Sequence, residues 1–335
     1  MGKAVKLPNG KWRIQVYLGR TEDGKQINRK ITADTKREAE AMAQELPNRQ
    51  GKIPESNATI GSSLMAYLNS RRNVLSPSTV REYLRSIKNS YTKIESVRLQ
   101  YVDNVLIQGW INSAAKEKSN KTIKNEFGLL SSALKFAGIR ISADDFRFPQ
   151  KEKVDLHIPS SDDIKRILDN AAGDYRTAVL LAAFGTMRRS EICALTLNDL
   201  NGNTITINKA MVKNERNEWT IKTTKTTSST RKVILPSFVA DAFRENGQIK
   251  KTPDAITRSH ERLIKNVGCV KFRFHDYRHF SASILHAIGV PDKYIMQRGG
   301  WSNASTLQNI YQHTFDDVTM QESEKMNNFF ETIFK

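Results

Sequence analysis

The chain has 335 residues, with 53 lysines and arginines against 35 aspartates and glutamates and a formal net charge of +18. That length points to two or three compact units, and that charge to a polyanionic partner, of which nucleic acid is the commonest. No apolar run approaches the ~20 residues of a membrane span, and the N-terminus MGKAVKLPNGKW carries neither the apolar stretch of a signal peptide nor, with Lys6 in place of Ser or Thr, a myristoylation signal.

Residues 1–47 read as a small module of strands followed by a helix. In KWRIQVYL, Trp12, Ile14, Val16 and Leu18 alternate with Lys11, Arg13, Gln15 and Tyr17, the period of a half-buried strand. Asp23-Gly24 is a hairpin turn signal, KQINRKI supplies a second strand, and Thr35 or Asp34 caps a helix running to Leu46. The outward face of Arg13, Gln15 and Tyr17 has the chemistry to enter a major groove. An ordinary solvated sheet face is the competing reading.

Residues 48–58, NRQGKIPESNA, lack periodicity and read as a linker. Residues 59–145 read as all-helical. Ile60, Leu64, Tyr67 and Leu68 mark one helix, and Val80, Tyr83, Leu84 and Ile87 a second that Ser78 caps behind Ser76-Pro77. Two more run from Val105 to Ala115 and from Thr122 to Phe136, the latter started by Ser119 or Asn120. Arg71, Arg72, Arg81, Arg85, Lys88, Lys116, Lys118, Lys121 and Lys124 stud the polar faces. Scattered lysines are usually a solvated surface, but four helices this basic in a chain this basic favour a DNA clamp. A second linker covers 146–160, around Pro149 and Pro159.

From residue 161 to the end the pattern is mixed, with a helix capped by Ser160 or Ser161 and strands near 203–207, 217–222 and 231–235. An apolar run from Ala178 to Phe184 stops at Gly185, and a helix follows on which Arg188 and Glu191 share a face, with Ile192, Leu195 and Leu197 as its apolar stripe. An arginine fixed at a buried edge suits a planar fork that grips a phosphate in two places; a structural Arg–Glu pair is the alternative. In the expected hairpin TIKTTKTTSSTRKVILP, Lys225 occupies the turn, where it can serve as a general acid. In KFRFHDYRHF, His275 and Arg278 face one way from a helix start, offering a proton carrier beside a second phosphate-gripping arginine. Trp301 and Tyr311 follow the double glycine Gly299-Gly300, and a tyrosine at such a place is by itself more often core than catalytic. Cys193 and Cys269 are too few for a zinc site and read as buried thiols of a reducing cytoplasm.

Taken in order, Arg188, Lys225, His275, Arg278, Trp301 and Tyr311 resemble the catalytic set of the tyrosine recombinase (phage integrase) family. The phrases that carry the resemblance are GTMRRSEICALTLNDL, KTTSSTRKVILP, HDYRH and GGWSNASTLQNIYQHT. LSPSTVREYLR with KTIKNEFGLLSSAL is similar to the family's core-DNA-binding helices, and the 1–47 module to the arm-binding domain of integrases from phages and conjugative transposons. The resemblance implies a multidomain chain, mainly α with small β-sheets. An arm-type DNA-binding sheet-plus-helix module at 1–47 precedes an all-α, SAM-like core-binding domain at 59–145 and a mixed α/β catalytic domain at 161–335.

By that resemblance Tyr311 is the nucleophile, forming a 3′-phosphotyrosyl link and freeing a 5′-hydroxyl. Arg188 and Arg278 hold the non-bridging oxygens, Lys225 protonates the leaving oxygen, and His275 assists proton transfer. Trp301 stands where the family more often has histidine, which implies a packing or indole N–H contact. DNA-reading candidates are Arg13, Gln15, Tyr17, Arg71, Arg81, Arg85 and Lys121. No metal or other cofactor is expected, since neither a Walker-type glycine loop nor an acidic triad for two-metal chemistry is present. The implied partners are double-stranded attachment-site DNA and three further copies in a homotetramer, with an excisionase and a host DNA-bending protein as candidates; the implied place is a bacterial cytoplasm. The apolar face of Val318, Met326, Phe329, Phe330 and Ile333 in the tail is expected to dock on a neighbouring protomer on DNA and on its own domain when free. The rival readings are a type IB topoisomerase-like nicking-closing enzyme and a non-catalytic DNA-binding regulator.

Overall fold

Caps and alternating apolar residues account for most of the elements in the computed structural model. It describes residues 4–20, 26–49, 57–151, 157–223, 230–311 and 327, with backbone alone at 17–20, 26–29, 44–49 and 309–311. The Asp23-Gly24 turn, most of the 48–58 linker, Lys225 with its turn, and the apolar tail lie outside the described residues. The chain divides into two compact units, Met1–Lys153 and Val154–Lys335.

In the first unit, β1 (Val5–Lys6), β2 (Trp12–Arg20) and β3 (Gln26–Ala33) form an antiparallel sheet in that order. Arg13 and Gln15 of β2 are exposed while Ile14 and Val16 are buried with Ala39 and Ala43 of α1 (Lys36–Arg49). The helix starts with a reciprocal cap: the Glu38 amide donates to Thr35 Oγ1 at 3.2 Å and the Thr35 amide to Glu38 Oε2 at 3.3 Å.

A separate cluster within this unit is built by α2 (Ile60–Arg71), α3 (Pro77–Ser90), α4 (Asn104–Ala114) and α5 (Asn120–Phe136). Thr59, Ser76, Asp103 and Ser119 cap them. Ser76, rather than the expected Ser78, caps α3 because Pro77 takes the first helical position, where its missing N–H costs nothing. Ile60, Leu64, Ile111, Ile123, Leu130 and Leu134 are fully buried. Lys118, expected on a polar face, instead turns inward: its Nζ donates to Glu126 Oε1 at 2.9 Å and to Ser90 Oγ at 2.9 Å.

The second unit opens with α6 (Ser161–Asn170), capped by Ser160, then α7 (Gly173–Gly185), a helix buried along almost its whole length. A single turn, α8 (Arg189–Ile192), leads into β4 (Leu200–Asn201), β5 (Thr204–Ile207), β6 (Lys209–Lys213), β7 (Trp219–Thr223) and β8 (Arg231–Ile234). α9 (Ser237–Asn246), α10 (Pro253–Val267), α11 (Asp276–Ala287), α12 (Asp292–Gly299) and α13 (Ala304–Tyr311) follow. The expected β7–β8 hairpin is not what forms. β7 pairs with β6, and β8 with β5 in the order β4-β5-β8. The longest strand missed from the sequence, KAMVK, is short and centred on Met211 beside Ala210, so it carries little β signal.

Leu197, read as part of an apolar stripe, is 46% exposed, because the helix ends at Ile192 and a 3₁₀ turn over Leu197–Asp199 rotates it outward. Cys193 is buried as expected, whereas Cys269 is only half-buried. No described helix is long and apolar enough to cross a membrane.

Candidate active site

The apolar run of α7 ends at Thr186, a fully buried residue held in the left-handed region at φ 57°. A β-branched residue resists that conformation, so the surroundings must hold it there. They do so through its side chain, with Oγ1 3.0 Å from Ser281 Oγ, and through its carbonyl, which accepts from Arg278 Nη1. The reversal places Arg188 as the N-cap of α8, not within the helix as its spacing suggested.

There Arg188 Nη1 donates to Glu191 Oε1 at 2.8 Å, its backbone N–H donates to Glu191 Oε2 at 2.8 Å, and Nη2 donates to the Gly300 carbonyl at 2.9 Å. The Glu191 carboxylate is buried and is gripped a second time by Arg231, Nη1 to Oε1 at 3.1 Å and Nη2 to Oε2 at 2.8 Å. Burial pushes the Glu191 pKa up. The hydrogen bonds from Arg231, with the charges of Arg231 and Arg188, outweigh it and hold the group at about 2. Glu191 is therefore an ionised tether for two arginines and not a proton carrier at neutral pH.

Arg278 is completely buried, with its guanidinium 3.8 Å from the centre of the Trp301 ring. Burial, then the charge of Arg188, lowers its pKa, but an arginine remains a cation in a protein. Its Nε and Nη2 have no partner among the described residues. Buried donors are almost always satisfied, so two left open on one guanidinium mark a place for an anion.

Trp301 is brought onto Arg278 by the turn at the end of α12. Gly300 is left-handed at φ 65°, and a Cβ on Gly299 would overlap the indole ring. His275 immediately precedes α11 and stands edge-to-face against His279 at 4.9 Å. His275 is exposed and lines a cleft. Partial desolvation, followed by the neighbouring His279 and Arg278, holds its pKa below the ordinary histidine value. At neutral pH it is thus a neutral imidazole, able to accept or donate a proton. A cleft of about 1130 Å³ runs alongside, lined by Arg188, Arg189, Lys265, Lys271, Arg273 and His275 among others.

The structure brings Arg188, His275, Arg278 and Trp301 together. Lys225 lies outside the described residues. Tyr311 ends α13, and its side chain lies outside them too; the helix is anchored by Leu307, buried with Ala282 and Ile295 in the cluster against which Trp301 packs. In the first unit Arg13 and Gln15 are exposed on β2, and the side chain of Tyr17 is not described. Arg71 lies over the Tyr67 ring at 5.1 Å, Arg81 and Arg85 flank Glu82 at 3.1 and 3.9 Å, and Lys121 is exposed in the first turn of α5. Two arginines that the sequence did not single out join the site from behind. Arg231 Nε donates to the Arg298 carbonyl at 2.8 Å, and Arg298 donates to the carbonyls of Ile234 at 3.0 Å and Phe184 at 2.8 Å. Among the described residues no group of three His, Cys, Asp or Glu side chains is placed to hold a metal.

Residues 160–317, which contain every residue of this site, match the model of the phage integrase family. Over its whole length the chain is similar to a XerC-like tyrosine recombinase of Caldanaerobacter subterraneus subsp. tengcongensis, 26% identical and covering 97% of this chain and 98% of that one. A shorter stretch is 34% identical to an integrase of Saccharopolyspora erythraea, over 20% of this chain and 15% of that one. Among solved structures, the Tn1549 transposon integrase in complex with transposon right end DNA matches with a TM-score of 0.67 at 19% identity, covering 81% of this chain and 100% of that one. The lambda integrase tetramer bound to a Holliday junction matches with a TM-score of 0.61 at 15% identity, covering 94% and 97%. These structural likenesses speak for the fold.

Proposed function

We propose that this chain, a tyrosine recombinase whose residues 160–317 form a phage integrase family domain, integrates a mobile element into DNA and excises it again by cutting and rejoining both duplexes at specific sites. The observation that carries this reading is Arg278: a buried cation with two nitrogens that have no partner among the described residues, near Arg188 and His275, which line a cleft rich in basic residues. A phosphodiester supplies what those donors lack, and a pentacoordinate phosphorus supplies more negative charge at the same place, so the pair favours the transition state over the ground state.

In the proposed reaction the Tyr311 oxygen attacks phosphorus, and the P–O bond to the 5′-oxygen breaks. Lys225 gives that oxygen its proton while His275 manages the proton of the attacking tyrosine. The 3′-phosphotyrosyl bond conserves the energy of the phosphodiester, so a 5′-hydroxyl from another strand can reverse the step without ATP. We further infer attachment-site duplexes as substrate, a homotetramer as the working assembly, and an excisionase and a DNA-bending host protein as setting direction, in a bacterial cytoplasm. Arm-site DNA is assigned to residues 1–47 and core-site DNA to 59–145, through Arg13, Gln15 and Tyr17 in the former and Arg71, Arg81, Arg85 and Lys121 in the latter. Docking of the tail on a neighbouring copy belongs to the same reading.

The test is a covalent trap: the chain is incubated with a nicked junction DNA of its own element, and denaturing gels are read for a protein–DNA adduct. The unaltered chain should form it. Tyr311→Phe should bind DNA equally and form none, and Arg188→Lys should form little, because a point charge does not replace a two-pronged fork. An adduct from Tyr311→Phe removes Tyr311 as nucleophile. Adducts without any joining of two duplexes would favour the nicking-closing alternative, and no adduct from the unaltered chain would favour a DNA-binding regulator.

A further inference from the structure

We propose that Arg231 is a positioning residue for strand cleavage: it holds the Glu191 carboxylate and the Arg298 carbonyl together, and through them aims Arg188 and the turn that carries Trp301. The inference rests on the recombinase reading above and extends it to a residue that touches no substrate.

Arg231 is the first residue of β8, and its side chain is 3% exposed. Three of its donors are committed, two to the oxygens of Glu191 and the third, Nε, to the Arg298 carbonyl. Glu191 passes the constraint forward to Arg188 through Nη1 and the backbone N–H of that residue. The Arg298 carbonyl passes it to the other side, because Gly299, Gly300 and Trp301 follow directly, and Gly300 itself accepts from Arg188. Arg298 returns the tie, its guanidinium bonding the carbonyl of Ile234 at the far end of β8 and that of Phe184 near the end of α7. The two arms of the phosphate clamp, Arg188 after α7 and the turn after α12 that lays Trp301 on Arg278, therefore share one brace.

A guanidinium suits this task because its donors lie in a fixed plane, so two acceptors on different elements are held in fixed relation. A lysine keeps the charge but not that geometry. A buried pair of this kind is a poor source of net stability, since desolvating both charges offsets most of their attraction. Its retention next to the clamp is better explained by orientation.

Arg231→Lys gives the test, read three ways on the full-length chain. Affinity for junction DNA should stay within about threefold, because the basic cleft is unchanged. Single-turnover adduct formation should fall by about ten- to a hundredfold, the scale of a misplacement near 1 Å. In an Arg188→Lys background the same change should cost less than it does alone, since part of the effect of Arg231 runs through Arg188. Cleavage within about twofold of the unaltered chain, or fully additive losses, would overturn the inference. If Arg231→Lys melts, the paired change Arg231→Met with Glu191→Gln removes both charges and should restore folding and DNA binding while cleavage stays slow; cleavage at full speed would show that Arg231 serves the fold alone. Binding of inorganic phosphate to the DNA-free chain is measured alongside and should weaken about tenfold in Arg231→Lys, the scale of one charge-assisted hydrogen bond. Unchanged phosphate affinity overturns the inference even where the unaltered chain forms no adduct, an outcome that by itself would count against the recombinase reading instead.

Discussion

His279 is buried one helical turn after His275, and its Nδ1 has no partner among the described residues. Burial first, then Arg273 and Arg278, lowers its pKa from 6.5 to about 4 against the pull of Asp276. Between those values the unfolded chain binds a proton that the folded chain refuses. The stability tied to this group is therefore complete above pH 6.5 and is lost as pH falls toward 4, by up to about 1.4 kcal/mol per pH unit. His275, whose pKa is also lowered, acts in the same direction, and Glu191 adds a loss only below its ordinary value of 4.5. Melting temperature followed from pH 7 to 4.5 should drop more steeply for the unaltered chain than for His279→Gln. Parallel curves would place the acid-sensitive group elsewhere. At this same scale Arg188, His275, Arg278 and Trp301 were legible, because each sits in a short phrase with its neighbours. Arg231 was not, since the carboxylate it serves is 40 residues away and no local spacing points to it.

The turn from α12 into α13 shows how an element's end becomes a site. Gly299 leaves room for the indole of Trp301 where any Cβ would overlap it, and Gly300 takes the left-handed conformation that ends the helix. Gly299→Ala should displace the ring from Arg278 and slow adduct formation by about ten- to a hundredfold with DNA affinity retained. A trap assay at the unaltered rate would mean that the ring can move without consequence. Caps were the most legible feature of the elements: Thr35, Ser119 and Ser160 each precede a helix as their side chains suggest, through bonds confined to three residues. Strand pairing was legible only where a turn was. β2 and β3 follow from alternation, whereas β7 and β8 looked like one hairpin and belong to different sheets, because β7 hydrogen-bonds to β6 and β8 to β5. Arg188 likewise looked helical from its spacing to Glu191; the left-handed Thr186, a conformation no sequence rule assigns to threonine, makes it a cap instead.

At the scale of the whole molecule, the buried set of Ile14, Val16, Ala39 and Ala43 is distinct from that around Ile60, Trp110 and Leu130, and from that around Val179, Ile192 and Tyr277. We expect a chain lacking residues 1–47 to keep the melting transition of the remaining helices and to cleave core-site DNA while losing distal arm-site binding. Gel-shift titration with arm-site DNA decides it, and equal affinity would reduce the β2 face to a solvated surface. With a net charge of +18, all such binding is to be compared at one salt concentration. The open donors of Arg278 have a further consequence at this scale. Arg278 has two nitrogens without a partner among the described residues and lies near a second cation, so an anion that binds there in the folded chain alone would stabilise the fold. If that anion is a DNA phosphate, bound copies would be expected to unfold less often than free ones, which a melting curve with and without DNA checks. The amount of this protein in a cell would then track the number of sites it occupies, a link between abundance and work that runs through one buried guanidinium.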